Sequence, residues 1–299
     1  MKIGIPNALL HYKYKDLILT FLDTLNVDYI VSPSTNRSIS ENGFKLSQSE
    51  ACLSSKIYLG HVDYLKDKCD AILIIRLDCI KENEEVCTRF SAIYDLTKYS
   101  IENVKLIDLN ITIDEETSFI KLGETLGFSK IVSKESYKFA KTKQKAKENE
   151  KLQKQLEKIK DDNLKILLVS HDYNTYDEMI GKPILKYLKD NNITVLFSEN
   201  YEDKYKEEYK NISKNLYFSH NIKQLNGIGA YKDYVDGIIL ITTFPCGTDS
   251  LVNEMVIRTI KDKPIINIIL DENTAEAGLI TRLESFLDIL TLKRKEVKI

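Results

Sequence analysis

The five cysteines carry the most distinctive chemistry in this sequence. They lie at positions 52, 69, 79, 87 and 246 of a chain of 299 residues. An odd number spread so thinly does not form the disulfide framework of a small secreted protein. Thiolates also bind zinc or iron–sulfur clusters, and single cysteines without local CxxC pairs favour a cluster over a zinc site. Each cysteine taken alone can equally be a buried packing residue.

Three of the cysteines share one kind of position, beside the end of a strand or the start of a helix. Cys52 directly precedes a predicted helix, where free N–H groups and the helix dipole favour a thiolate. Cys87 lies in the segment after a predicted strand at residues 71–76. Cys246 lies between a predicted strand at residues 237–241 and a helix. The shared position predicts a common site.

The other two cysteines are interpreted differently. Cys69 precedes the strand at residues 71–76 and so lies at the end opposite to Cys87, which indicates a core thiol. Cys79 follows the same strand and is a candidate fourth ligand.

Polar residues collect at two further strand ends. His171, Asp172 and Asn174 follow the first strand of the second half, and Asp271 and Glu272 follow the last strand. These side chains are candidates for a cleft wall that orients a substrate, tunes a cluster by hydrogen bonding or does acid–base work. The alternative is helix capping, which uses the same residue types.

Several function classes are excluded or disfavoured. The sequence contains no GxGxxG after its first strand, no GxxxxGK[ST], no GxSxG and no HExxH, so nucleotide-binding, hydrolase and zincin signatures are missing. A net charge of -2 is not that of a dedicated nucleic-acid-binding protein. The sequence lacks a run of the roughly 20 apolar residues that a membrane span needs, and it lacks a signal peptide. We therefore expect a cytoplasmic protein that binds neither nucleic acid nor membranes.

The elements that must position these residues alternate between strand and helix. Nearly continuous apolar strands separated by helices predict an α/β fold with parallel sheets. We expect two Rossmann-like lobes with a cleft between them, formed by residues 1–132 and 163–299. The intervening residues 133–162 are rich in Lys, Glu and Gln and predict an exposed helical linker, with a thin apolar stripe at Phe139, Ala146, Leu152, Leu156 and Ile159.

Segments along most of the chain resemble the activase-related proteins of the 2-hydroxyacyl-CoA dehydratase superfamily, which also contains dehydratase subunits and double-cubane-cluster proteins. In the first half these are GIPNALLHYKY at residues 4–14, SPST at 32–35, EAC at 50–52, KIYLGHV at 56–62 and Cys87. In the second half they are HDYNTYD at residues 171–177, FPCGTDS at 244–250 and LDENTAEAGLITRLE at 270–284.

The resemblance implies a 4Fe–4S or larger double-cubane cluster bound by Cys52, Cys87 and Cys246. It also implies an ATP-dependent activase as electron donor. The expected function is low-potential electron transfer, or reductive chemistry on a small substrate as a dehydratase or reductase component; a homodimer is a candidate assembly. The alternative is a non-catalytic two-lobed binding or assembly protein, with packing cysteines or a structural metal.

Overall fold

The computed structural model describes residues 1–297, which form two four-stranded, entirely parallel sheets. The strands are β1 (Ile3–Ile5), β2 (Tyr29–Val31), β3 (Ala71–Leu77), β4 (Leu106–Ile111), β5 (Lys165–Val169), β6 (Thr194–Phe197), β7 (Gly237–Thr243) and β8 (Ile265–Leu270). The first sheet has the order β2-β1-β3-β4, and the second has the order β6-β5-β7-β8. The predicted α/β class with two parallel-sheet lobes is confirmed.

Twelve α-helices accompany the strands in the same residues. They are α1 (His11–Thr24), α2 (Arg37–Leu46), α3 (Leu53–Leu65), α4 (Thr88–Ser91), α5 (Ile93–Ser100), α6 (Glu115–Thr125), α7 (Lys130–Lys158), α8 (Asp172–Thr175), α9 (Lys182–Asp190), α10 (Ser219–Tyr231), α11 (Gly247–Thr259) and α12 (Glu276–Val297). None of these helices is long and apolar enough to cross a membrane.

The chain divides into two compact units. Unit 1 comprises Met1–Glu148 together with Tyr217–Ser219, and unit 2 comprises Asn149–Leu216 and the residues from His220 onward. Each unit therefore contains one sheet, and the first change of unit falls inside α7. The predicted lobe limits at residues 132 and 163, and the cleft between the lobes, stay predictions.

The central strands β3 and β7 consist almost entirely of buried residues, because helices cover both faces of a parallel sheet. In unit 1, β3 pairs with β1 on one side and β4 on the other; in unit 2, β7 pairs with β5 and β8 in the same way. The chain reverses its direction across each sheet between these first and third strands. Ligands of open parallel sheets bind outside the carboxyl ends of the strands at such a reversal.

Most residues of helix α7 are exposed, and its fully buried residues are not those of the predicted stripe. Phe139 is 52% exposed and Ala146 is exposed, whereas Ser133 and Gln155 are buried. The Gln155 side chain donates to the carbonyls of Phe197 and Asn200 and accepts from the Phe197 amide, all within unit 2. Apolar periodicity misses this contact because polar side chains with satisfied hydrogen bonds can face a core as well.

Helices α2 and α3 cross in unit 1 with their backbones in contact at two glycines. A Cβ on Gly60 would lie 1.9 Å from the Ile39 carbonyl oxygen, and one on Gly43 would lie 2.1 Å from the Lys56 carbonyl oxygen. These are backbone atoms, so no side-chain rotation relieves the clash. This crossing fixes α3, the helix that Cys52 precedes.

We expect Gly60→Ala to lower the free energy of unfolding by about 3 kcal/mol, the upper part of the range for overpacking. The matched control is Gly278→Ala in α12, because a Cβ there meets no atom within 4 Å. Alanine favours a helix over glycine by up to about 1 kcal/mol, so the control should be neutral or stabilising. Urea denaturation of both variants measures this, and equal stabilities would contradict the described crossing.

Candidate functional site

Cys52 is the residue that caps the amino end of α3. Its carbonyl accepts hydrogen bonds from the Ser55 and Lys56 amides, and its Sγ lies 3.1 Å from the Ser55 Oγ. Almost the whole of α3 is buried, including the Lys56 side chain at 8% exposure. Cys52 therefore lies at the solvent-facing start of an otherwise buried helix.

Cys87 caps the amino end of the short helix α4, ten residues beyond the end of β3. Its carbonyl accepts a hydrogen bond from the Phe90 amide, and its side chain is half-buried. Cys79 lies in the same connection, and its thiol donates to the Lys81 carbonyl at 3.0 Å. Both cysteines therefore follow the carboxyl end of the central strand of unit 1, as the sequence predicts.

Cys69 lies at the amino end of β3 and is half-buried. Its thiol donates to the Leu65 carbonyl at 3.2 Å, and a Cβ added to Gly4 would lie 2.6 Å from its sulfur. Burial raises the pKa of this thiol. Packing against β1, at the strand end opposite to Cys87, matches the role predicted for Cys69.

Cys246 caps the amino end of α11, directly after β7. The preceding Phe244–Pro245 peptide bond is cis, and Phe244 is 60% exposed. The Cys246 Sγ lies 3.6 Å from the Thr248 Oγ1. Because β7 occupies in its sheet the place that β3 occupies in the other, Cys87 and Cys246 follow equivalent strands of the two sheets.

The three predicted ligands thus all immediately precede a helix. Cys52 and Cys87 belong to unit 1 and Cys246 to unit 2, so their convergence on one site stays a prediction. Residues 1–297 contain no group of three or more His, Cys, Asp or Glu side chains already arranged to hold a metal ion. None of the five cysteines forms a disulfide, so every thiol is chemically available for ligation.

A buried polar cluster lies at the reversal point of unit 2, where β5 and β7 end. The His171 Nε2 lies 2.9 Å from the Asp249 Oδ1, and the Asn221 amide donates to the same oxygen at 2.9 Å. The Thr242 hydroxyl donates to the other Asp249 oxygen at 3.1 Å. With the Asp249 carboxylate fully hydrogen-bonded, the His171 ring has a fixed orientation, and it stacks on Tyr173 with centroids 4.9 Å apart.

The electrostatics of this cluster favour an ion pair. Burial lowers the pKa of His171, but the Asp249 carboxylate and its hydrogen bond outweigh burial and raise the pKa above its ordinary value. Burial raises the pKa of Asp249, whereas His171, Asn221 and Thr242 together lower it below its ordinary value. The His171 Nδ1 is buried and has no hydrogen-bond partner among the described residues.

The remaining sequence-predicted residues have local roles. Asp172 begins α8 and Asn174 is fully buried within it, next to His171. The Asp271 carboxylate accepts hydrogen bonds from the Asn273 amide and the Thr274 hydroxyl, which is a capping turn, and Glu272 is exposed beside it. Whether these side chains also bind a substrate stays a prediction.

Sequence reasoning missed Asp249, Asn221 and Thr242 of the unit 2 cluster. It also missed the Lys223–Glu199 ion pair, whose atoms are 2.6 Å apart. Asp249 belongs to the quoted segment at residues 244–250, which was the available signal. Its pairing with His171 depends on the adjacency of β5 and β7, and a single sequence does not contain that information.

A second buried histidine organises the loop after β2 in unit 1. The His61 Nδ1 lies 2.7 Å from the Ser32 Oγ, and its Nε2 lies 3.0 Å from the Thr35 Oγ1. Burial, with a smaller effect of His11, lowers the pKa of His61 to about 3, so the ring is neutral. The segments at residues 32–35 and 56–62 are therefore joined by a structural contact.

The fold and site define a two-unit parallel α/β protein with cysteines at the N-cap positions of helices in both units. The chain belongs to the family described as CoA enzyme activase uncharacterised domain (DUF2229), whose model matches residues 2–200. This membership confirms the predicted relation to CoA enzyme activases. A search of curated proteins finds no match.

Solved structures of the SBP FpvC from Pseudomonas aeruginosa align with the chain. Its Mn²⁺ complex is 10% identical with a TM-score of 0.30, covering 98% of this chain and 99% of that chain. Its Ni²⁺ complex is 10% identical with a TM-score of 0.28, covering 99% and 97%. ZnuA is 13% identical with a TM-score of 0.27, covering 97% and 98%.

We expect Asp249→Asn to lower both the pKa of His171 and the free energy of unfolding, by about 3 kcal/mol, because it breaks a buried ion pair. Because the pKa of His171 is raised on folding, its protonation stabilises the fold at pH values below the pKa of the unfolded state, about 6.5. This contribution is lost as the pH rises through the pKa of the folded state. The lowered pKa of Asp249 stabilises the fold above about 3.9, and this contribution is lost as pH falls through the folded value. The deficit should therefore be larger at pH 5 than at pH 9.

Urea denaturation at both pH values, with an NMR titration of His171, measures these effects. The matched control is Asp271→Asn, an exposed carboxylate for which asparagine caps equally well. A pH-independent deficit for Asp249→Asn would argue against the ion pair.

Proposed function

We propose that this protein is an iron–sulfur redox component of a CoA enzyme activase system related to the 2-hydroxyacyl-CoA dehydratases. Membership of the CoA enzyme activase domain family supports the system. The observation that carries the redox role is the position of three thiols. Cys52, Cys87 and Cys246 each immediately precede a helix, and the last two follow equivalent central strands.

The donor set fits an iron–sulfur cluster chemically. Iron–sulfur clusters take cysteine thiolates as ligands, and ligation requires that the thiols be deprotonated. Cys52 and Cys246 each immediately precede a helix of 13 residues, α3 and α11 respectively. Under this proposal Cys52, Cys87 and Cys246 hold a 4Fe–4S or double-cubane cluster, and Cys79 is the candidate fourth ligand.

The bound cluster would supply single electrons at low potential. The chain's own residues also supply a proton donor, which lies in the polar cluster of unit 2. Asp249 lies in the first turn of the helix that Cys246 caps, and it raises the pKa of His171. Under this proposal His171 donates a proton to a small substrate that accepts an electron, while Asp249 holds the ring in place. Asp172 and Asn174 line the same strand end.

The electron donor under this proposal is an ATP-dependent activase, and the electron acceptor is a small substrate. The protein would therefore act as a dehydratase or reductase component or as a carrier between the two. A cytoplasmic location follows from the same proposal, because low-potential clusters are kept reduced there.

The test is anaerobic purification followed by iron, sulfide and zinc analysis, with an absorption spectrum. The proposal predicts brown protein that absorbs near ~400 nm and contains iron and sulfide in comparable amounts. Colourless protein with stoichiometric zinc would instead support the alternative of a non-catalytic protein with a structural metal.

Replacing single cysteines then tests the ligand set. We expect Cys52→Ala, Cys87→Ala and Cys246→Ala each to lose most of their iron, because a cluster with one ligand fewer is poorly held. The triple variant should lose little more, since residues that act as a unit are not additive. The matched control is Cys69→Ala, which should keep its iron and cost on the order of 1 kcal/mol of stability.

Full iron in Cys246→Ala would contradict the proposed ligand set, since Cys246 is the only cysteine beyond residue 87. Loss of iron in Cys79→Ala would make that residue the fourth ligand and close the open position of the cluster.

A further inference from the structure

The connection between β3 and α4 carries two thiols on weakly anchored backbone. Most of residues 78–85 are exposed, and Asn83 has a left-handed backbone with φ of 62°. The Cys79 thiol and the Glu84 amide both bond to Lys81 within the connection. At the start of the connection, the Asp78 amide donates to the Ile111 carbonyl at 3.1 Å. Between Asp78 and Cys87, the backbone–backbone hydrogen bonds from the connection to other described residues are the two made by Glu85.

Those two bonds form an isolated parallel bridge between Glu85 and Phe218. The Glu85 amide donates to the Tyr217 carbonyl at 2.7 Å, and the Ser219 amide donates to the Glu85 carbonyl at 2.9 Å. Residues 217–219 belong to unit 1 although the chain on both sides of them belongs to unit 2. Residues 217–219, which are distant from the connection in sequence, therefore hold the Glu85 end of the connection in place.

We propose that residues 217–219 act as a positioning strand. This strand holds the connection between β3 and α4, called here the Cys87 connection, in place and so controls access to the Cys87 thiol. Glu85 is two residues before Cys87, and the buried Val86 lies between them. Each backbone hydrogen bond contributes only modestly to net stability, so a segment tied by two of them opens locally without global unfolding. When the bridge opens, Cys79 and Cys87 become accessible together.

The positioning strand is also continuous with α10. Ser219 is both the donor to Glu85 and the first residue of that helix. The next residue, His220, has its ring 5.5 Å from the His171 ring.

The effect on thiol access does not require iron, whereas its meaning for redox control rests on the proposed function. The two are therefore tested separately. Iron content of the unsubstituted protein tests the function, and thiol labelling of the full chain after iron chelation tests the positioning strand.

The decisive variant is Ser219→Pro, compared with Ser219→Ala. Proline removes the amide that donates to Glu85, yet it is well tolerated at the first position of a helix. Alanine keeps that amide and removes only the Oγ, which is buried without a hydrogen-bond partner in residues 1–297. The two variants thus differ in the hydrogen bond from the residue 219 amide to Glu85. Equal midpoints of thermal unfolding will show that both variants are folded.

Maleimide labelling resolved by mass spectrometry gives a rate for each cysteine. In Ser219→Pro, the rates at Cys79 and Cys87 should rise about fivefold over Ser219→Ala, the change expected for one hydrogen bond of typical net strength. The rates at Cys69 and Cys246 should stay unchanged. As a second readout, trypsin should cleave faster after the exposed Lys81.

Equal Cys87 rates in the two variants would overturn the proposal. So would a uniform rise at all five cysteines, because it would show general destabilisation and no specific release of this connection.

Discussion

The parallel pairing of β1 with β3, and of β5 with β7, determines which functional side chains lie close together within each unit. A parallel strand returns through a helix, so each strand contributes its carboxyl end to the same edge of the sheet. The order of both sheets places the chain reversal between the first and third strands of each unit. In unit 2, His171 follows β5 and Asp249 follows β7, so strand pairing brings these two residues together although they are 78 residues apart in sequence.

Much of the fold can be predicted from apolar patterning, because buried parallel strands are nearly continuous apolar runs. The predicted strands at residues 71–76 and 237–241 agree with β3 and β7 to within two residues. Apolar patterning does not predict helix α10. In α10 the glycines lower helix propensity, yet Gly227 is needed there because a Cβ would lie 1.9 Å from the Ser198 carbonyl oxygen. Tertiary packing outweighs local propensity at this helix.

The candidate site is only partly visible in the sequence. Residue type and position relative to strand ends identify the cysteines and His171, since these depend on local order. The partner of His171 does not follow from local order, because Asp249 lies 78 residues away and meets it only through the β5–β7 pairing. The bridge between Glu85 and Phe218 is hidden for the same reason. Contacts between distant segments are what turn candidate residues into an arrangement with a fixed orientation and charge.

Anomalous X-ray diffraction at the iron absorption edge, on crystals grown anaerobically, tests most directly that Cys52, Cys87 and Cys246 share one cluster. The predicted result is one compact group of iron peaks within bonding distance of all three sulfurs. Iron bound by other residues, or crystals of the full chain without an iron peak, would contradict the assignment of this protein as an iron–sulfur redox component.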